Sequence, residues 1–360
     1  MEKEEILMQN KIELAVIFGG ASSEYDISLI SANSILENID TNKYNVNKIG
    51  ITKDGQWLLY NGENQNLLND TWFEKNCISC HISPDTKIQG IVYNENGEYK
   101  TKKIDVVFPV LHGKNGEDGT IQGLFELANI PYVGCGVLGS SICMDKAIAN
   151  QIMEYNNIPR CEWDYLTKDD FINFDNLEPI WENKLKYPIF VKPSNAGSSI
   201  GISKAKNKVD LKTAIENALK FDDRIVLERF VKGKEIECAV IGNKIIESTF
   251  PGEIIASKEF YDYEDKYIAG TSTAVIPADL PMDVLEEVQT LAIKSYKALC
   301  CKGLSRVDFF IEEKTNKILL NEINTLPGFT SISMYPKLMM NTNISYSQLL
   351  DRLIDLAMEK

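Results

Sequence analysis

Leu14-Ala15-Val16-Ile17-Phe18-Gly19-Gly20-Ala21-Ser22-Ser23-Glu24-Tyr25-Asp26-Ile27-Ser28 is the stretch on which the fold class turns. An unbroken apolar run, Leu14 to Phe18, stops at a glycine pair, and a helical pattern follows from Ile27 to Ile39. A short apolar run without alternation is what a strand buried on both faces requires. The same order recurs downstream. Asn45 to Ile51 and Ile104 to Val110 read as strands, a Gly-rich turn leads into the helix Ile121 to Ala128, and Pro131 to Val133 closes the unit. Strand–helix alternation of this kind predicts a parallel sheet covered on both faces. The segment from Asn61 to Lys103 is polar and irregular, with turn signals at Asn61-Gly62 and Asn96-Gly97, and is expected to be a hairpin-bearing insertion.

Two further units follow. The second has a helix from Ser141 to Tyr155, a strand Ile189 to Lys192, a Gly/Ser loop, a helix Leu211 to Leu219 and a strand Ile225 to Phe230. The third has β segments at Cys238 to Ile241, Val307 to Ile311 and Ile318 to Ile323, with helices Val284 to Leu299 and Tyr346 to Met358. No repeat and no low-complexity tract interrupts this order.

The 360 residues are 44% hydrophobic and 25% charged, with a formal net charge of −14. That balance argues against a nucleic-acid or anionic-membrane surface, both of which need clustered basic residues. No apolar run approaches the ~20 residues of a membrane span. The acidic start lacks the basic and apolar parts of an export signal. Met1 or Met8 is the start residue, and the residues before Met8 are expected to form a disordered extension. Eight cysteines without such a signal read as reduced thiols of a cytoplasmic protein.

Two patterns mislead. Cys77-Ile78-Ser79-Cys80-His81 fits a haem-attachment or zinc pattern, but it lies in the irregular insertion and the chain has only two histidines. It reads as an exposed-loop coincidence. Gly134-Cys135-Gly136-Val137-Leu138-Gly139 fits a dinucleotide fingerprint, but it follows several elements instead of opening the first strand–helix unit. It reads as a tight turn joining two domains.

Other motifs carry chemistry. Lys192-Pro193-Ser194-Asn195-Ala196-Gly197-Ser198-Ser199-Ile200-Gly201 follows a strand, and its small residues let backbone N–H groups approach phosphate oxygens. It is not a Walker loop. Lys146, opening a helix after Met144-Asp145, offers a second cation. Arg306-Val307-Asp308 and Glu322-Ile323-Asn324 lie on strand-like runs, so each outer pair shares a face. Their oxygens suit Mg²⁺, with Arg306 beside it. In Thr325-Leu326-Pro327-Gly328-Phe329-Thr330-Ser331-Ile332-Ser333-Met334, the Gly328 N–H can face an oxyanion, and Ser331 and Ser333 a substrate carboxylate. Glu24 sits where it caps a helix or accepts an ammonium, and His112 lies in the Gly-rich loop Leu111 to Gly119.

Together these pieces resemble the D-alanine–D-alanine ligases of the ATP-grasp superfamily. The matching segments are FGGASSEYDIS, FPVLHGKNGEDGTIQG, MDK, FVKPSNAGSSIG, FYDYEDKY, SRVDFF and NEINTLPGFTSISMYP, in the family's order from Phe18 to Pro336. The resemblance implies an α/β fold, α+β in its ATP-binding part. An N-terminal parallel-sheet preATP-grasp domain (1–139) would precede a two-part ATP-grasp fold (140–232 and 233–360). It implies that Lys146, Lys192 and Ser199 bind ATP phosphates, that Glu228, Glu235 and Phe230 meet adenine or ribose, and that Lys266 sits on a lid, 260–271. Asp308, Glu322 and Asn324 would hold two Mg²⁺ (or Mn²⁺). Glu24, with Ser198 and Tyr267, would bind the first D-alanine, with His112 beside it. Arg306 and Gly328 would stabilise the tetrahedral intermediate. The product would be D-alanyl-D-alanine for peptidoglycan precursors, made by a cytoplasmic homodimer that acts on small D-amino acids. Related vancomycin-resistance ligases use D-serine or D-lactate, and many carry Arg where this chain has Met334. An apolar residue there suits a methyl group. GKNGEDG resembles the serine-type group, so a D-alanine–D-serine ligase is the alternative. A carboxylase-type ATP-grasp protein would need a carrier surface that is not evident in the sequence.

Overall fold

The protein's structure, a computed structural model, describes residues 11–197, 200–255 and 273–359. The first sheet contains β1 (Ile12–Gly19), β2 (Tyr44–Ile51), β3 (Trp57–Tyr60), β4 (Cys77–Ile82), β5 (Gly90–Glu95), β6 (Glu98–Lys103) and β7 (Val106–Val110). Their order is β6-β5-β4-β3-β2-β1-β7. Strands β2, β1 and β7 are parallel. The apolar run in β1 has the reason expected of it. Leu14, Val16 and Phe18 pack beneath Leu29, Ala32 and Ile35 of the helix Tyr25–Asn38, while Ala15 and Ile17 face Ile121 and Phe125 of the helix Thr120–Ala128.

The insertion is more regular than its composition predicts. Its strands β4, β5 and β6 continue the same sheet in antiparallel fashion through β3. Its polarity is that of an edge: β6 exposes Glu98, Lys100 and Lys103, and charges on an edge strand deter pairing with other chains. Cys77 and Cys80 therefore lie on a strand, not in a loop. Three residues apart, they point to opposite faces and pack with different clusters, so they cannot close on one metal. Burial also pushes the Cys80 thiol up to about 12.

The second sheet, β8 (Trp163–Thr167), β9 (Ile189–Pro193), β10 (Ser203–Ala205) and β11 (Arg224–Arg229), is antiparallel in the order β10-β9-β11-β8. Helices Phe174–Leu185 and Lys208–Ala218 cover it through Trp181, Leu185, Leu211 and Ile215. The third sheet holds β12 (Gly233–Gly242), β13 (Ile246–Ser248), β14 (Gly252–Ile255), β15 (Thr273–Val275), β16 (Leu304–Glu312) and β17 (Ile318–Asn324). It runs β15-β14-β12-β16-β17, with β13 beside β12. Ile236, Cys238, Val240, Val307 and Phe309 pack against Val288, Ala292 and Tyr296 of the helix Met282–Ala298. Alternation leaves Glu235, Glu237, Arg306, Asp308, Glu322 and Asn324 for the other face.

Two departures from the sequence reading matter for the site. The single helix expected from Ser141 to Tyr155 is two, Val137–Met144 and Lys146–Tyr155. Asp145 breaks it: its backbone is extended and its carboxylate accepts from the Ala147 and Ile148 N–H groups, an N-cap. The last helix, Tyr346–Met358, follows the third sheet in sequence but buries Leu349, Leu350 and Leu353 in the core that holds Leu14 and Val16. Tyr44 donates to its Asp351 at 2.9 Å.

The Gly134–Gly139 turn is a packing device. A Cβ on Gly139 would lie 2.7 Å from the Cys300 carbonyl oxygen, so the helix Val137–Met144 touches that turn directly. Gly139→Ala is expected to cost about 1–3 kcal/mol through overpacking. Urea unfolding measures it, and unchanged stability would remove this role for the motif.

Candidate active site

The strand ends and loops of all three sheets converge on one cleft. Its walls include Glu24, His112 and Glu117 from the first sheet's loops, Lys146 and Gly197 from the middle unit, and Arg306, Glu322, Asn324 and Gly328 from the third. A smaller adjoining cavity shares Glu322 and adds Glu235, Glu237 and Asp308.

The N-terminal wall is built on Gly19, whose φ of +84° and position 2.1 Å (as a Cβ) from the Ile51 carbonyl oxygen exclude a side chain. The chain then turns to present Glu24, buried at 4% exposure. A Cβ on Gly113 would lie 2.2 Å from Glu24 Oε2, and one on Gly197 2.9 Å away, so both glycines give the carboxylate its room. His112 is equally buried. Its Nδ1 is 3.1 Å from the Leu326 carbonyl and its Nε2 is 3.3 Å from Ser31 Oγ. Burial lowers its pKa to about 4, so the imidazole is neutral near pH 7.

The sequence reading did not single out Glu117. It accepts from the Gly113 N–H at 2.7 Å, and also from the Leu326 N–H of the third unit. Burial, then the nearby Glu24 charge, raises its pKa to about 8. The glutamate falls in a loop already marked by its glycines, and that setting was the available signal.

The middle unit supplies cations. Lys192, at the end of β9, lies 2.5 Å from Glu228 on β11, and both side chains are largely buried. Burial opposes both charges, but each partner outweighs it: the lysine is held above its ordinary range and the glutamate below. Losing one member of such a pair costs about 3–5 kcal/mol because the other is left buried and uncompensated. Lys146 donates to the Ala196 carbonyl at 2.6 Å. Asp145 fixes that geometry through Ser194 at 2.6 Å and Arg224 at 3.0 Å. Phe230 sits beside Phe190, ring centroids 5.9 Å apart, under the Lys204 ammonium at 3.8 Å.

On the third sheet the expected faces are as drawn. Glu322 pairs with Asp308 and Asn324 with Arg306 across β16 and β17. Arg306 donates to both Asp308 oxygens, at 2.8 and 2.7 Å, and Asn324 Nδ2 donates to one at 2.9 Å. Two carboxylates and an amide oxygen are hard donors and fit Mg²⁺, and a carboxylate's roughly four lone-pair sites let Asp308 share a metal with its N–H donors. Ser333 accepts from the Thr330 N–H at 3.0 Å and Ser331 is exposed. Neither serine is a wall residue of the cleft, whereas Gly328 is. Met334 is 5% exposed and its terminal methyl packs on Gly252, within the core and away from the cleft wall. Ser198, Ser199, Lys266 and Tyr267, with the lid 260–271, lie outside the described residues.

Comparison with known proteins decides the family. Models described as D-ala D-ala ligase N-terminus and C-terminus match residues 13–135 and 152–355. The chain belongs to the D-ala D-ala ligase family. A D-alanine–D-alanine ligase of Caldicellulosiruptor bescii is 51% identical, over 97% of this chain and 96% of that protein. The solved VanG D-Ala:D-Ser ligase from Enterococcus faecalis superposes with a TM-score of 0.88 at 42% identity, covering 96% of this chain and 99% of the other. The D-alanine–D-alanine ligase from Coxiella burnetii gives 0.84 at 33%, covering 97% and 94%. Family membership makes the chain an enzyme that uses ATP, generally with Mg²⁺. Among the described residues no helix is long and apolar enough to cross a membrane.

Carboxyl titration by ¹³C NMR is expected to place Glu117 near pH 8. In Glu24→Gln its midpoint should fall, because a neighbouring negative charge no longer disfavours ionisation. An ordinary carboxylate midpoint in the wild type would contradict the burial argument.

Proposed function

We propose that the cleft condenses two D-alanines at the expense of one ATP, giving D-alanyl-D-alanine for peptidoglycan precursors, ADP and phosphate. The observation that carries this is the convergence of Glu24, His112, Lys146, Arg306 and Gly328 on one cleft. An ammonium site, a phosphate cation and an oxyanion site are what an acyl-phosphate route needs together.

Lys146 and Lys192, with Ser199, bind the ATP phosphates. Glu228 and Glu235 contact adenine or ribose, with Phe230 beside the ring, and Lys266 belongs to the closing lid. Glu24, with Ser198 and Tyr267, takes the ammonium of the first D-alanine. Asp308, Glu322 and Asn324 hold two Mg²⁺ (or Mn²⁺), which offset phosphate charge when bound. The first D-alanine's carboxylate oxygen attacks the γ-phosphorus and ADP leaves, forming an acyl phosphate. The second D-alanine's neutral amine attacks the acyl carbon. The resulting oxyanion faces Arg306 and the Gly328 N–H. Collapse breaks the carbon–oxygen bond to phosphate, and the departing phosphate carries off the amine's proton. His112, neutral over the working range, orients the first substrate and does not act as a proton donor. Exclusion of water protects the acyl phosphate.

The family resemblance assigns the second substrate's carboxylate to Ser331 and Ser333, though neither lines the cleft. D-alanine is favoured over D-serine as that substrate because the curated relatives at 44–51% identity are D-alanine–D-alanine ligases. Met334, packed in the core away from the cleft wall, does not bear on that choice. Domains at 1–139, 140–232 and 233–360, a homodimer and a cytoplasmic location belong to the same reading and rest on the family resemblance.

Incubation with ATP, Mg²⁺ and D-alanine, with D-serine or D-lactate competing, should give D-alanyl-D-alanine as the main product by mass. A dominant D-alanyl-D-serine product would overturn the second-substrate assignment. No condensation in any mixture would overturn the ligase reading.

A further inference from the structure

We propose that Glu237 is a positioning residue for Arg306, retaining that guanidinium when Asp308 is given over to metal-bound nucleotide. This deepens the ligase reading above and rests on it. Glu237 lies on β12 directly opposite Asp308 on β16, which is itself opposite Glu322 on β17. The three carboxylates form a row across three strands, and like charges side by side are unfavourable unless a cation intervenes.

Arg306 is the cation set into this row. Its Nε lies 2.9 Å from Glu237 Oε2 as an ion pair, while its Nε–H and Nη2–H donate to Asp308. Glu237 is 6% exposed, so its attraction for Arg306 is weakly screened. A metal ion takes carboxylate lone pairs, and both Asp308 oxygens are engaged by N–H donors. A metal ion on the remaining lone pairs shares the carboxylate with Arg306 and so weakens its hold on the guanidinium. With Glu237 present the guanidinium keeps a carboxylate partner beside the reacting carbonyl. Without it, metal and arginine would compete more directly for Asp308. Glu235 and Glu237 share a face by strand alternation, and Glu237 lines the same small cavity as Asp308 and Glu322.

The test compares wild type, the isosteric Glu237→Gln and the shorter acid Glu237→Asp. ADP affinity is measured by calorimetry with and without Mg²⁺, beside kcat and KM for D-alanine. In Glu237→Gln, ADP without Mg²⁺ should bind within about twofold of wild type, which also reports an intact fold. ADP with Mg²⁺ should bind about fivefold more weakly, and kcat should fall about tenfold with a smaller change in KM. Glu237→Asp should recover part of both. Unchanged Mg²⁺-linked ADP affinity would overturn the proposal. Equal weakening with and without Mg²⁺ would also overturn it, since that marks a merely structural residue. A wild type that makes no dipeptide would count against the ligase reading, while the ADP comparison would still decide on Glu237.

Discussion

The structure depends on how a chain with a net charge of −14 holds buried carboxylates against one another. Burying a charge is tolerable only with a partner. Around the cleft the partners include Lys192 for Glu228, and Arg306 for Asp308 and Glu237. Where burial and a neighbouring carboxylate dominate, the carboxyl group keeps its proton instead, as at Glu117 next to Glu24. Charge is thus compensated by paired cations and by protonation, which leaves the oxygen-rich third sheet ready for further positive charge.

That constraint also explains why the site lies at a junction. Glu24 and His112 come from the first sheet's loops, and His112 and Glu117 are both tied to Leu326 of the third unit. Lys146 is aimed from the middle unit by the Asp145–Ser194–Arg224 network. None of the three units holds all of the charges that an acyl-phosphate route needs. The last helix, packing back on the first sheet's core, braces two of them together.

Much of this was legible in the sequence because it is written in local periods. The unbroken run Leu14 to Phe18 signals a strand buried on both faces, and the period of two sets Arg306 with Asp308 and Glu322 with Asn324. What was not legible depends on non-local or competing chemistry. The apolar pattern from Ser141 to Tyr155 continues through Asp145, and only the capping hydrogen bonds end the helix there. Polar residues of the insertion looked like a loop because an exposed edge strand has the same composition. Glu117 and Glu237 acquire meaning from neighbours more than 60 residues away in sequence, Leu326 and Arg306 respectively. Met334 follows a loop whose glycine lines the cleft, yet its side chain turns into the core, and no local signal distinguishes those directions.

The central claim is that the first D-alanine is activated as an acyl phosphate within this junction. The most direct test uses D-alanine carrying ¹⁸O in its carboxylate, with mass analysis of the phosphate released during dipeptide formation. Transfer of one labelled oxygen into inorganic phosphate for each peptide bond is the expected result. Phosphate free of label, or label appearing in AMP, would contradict it.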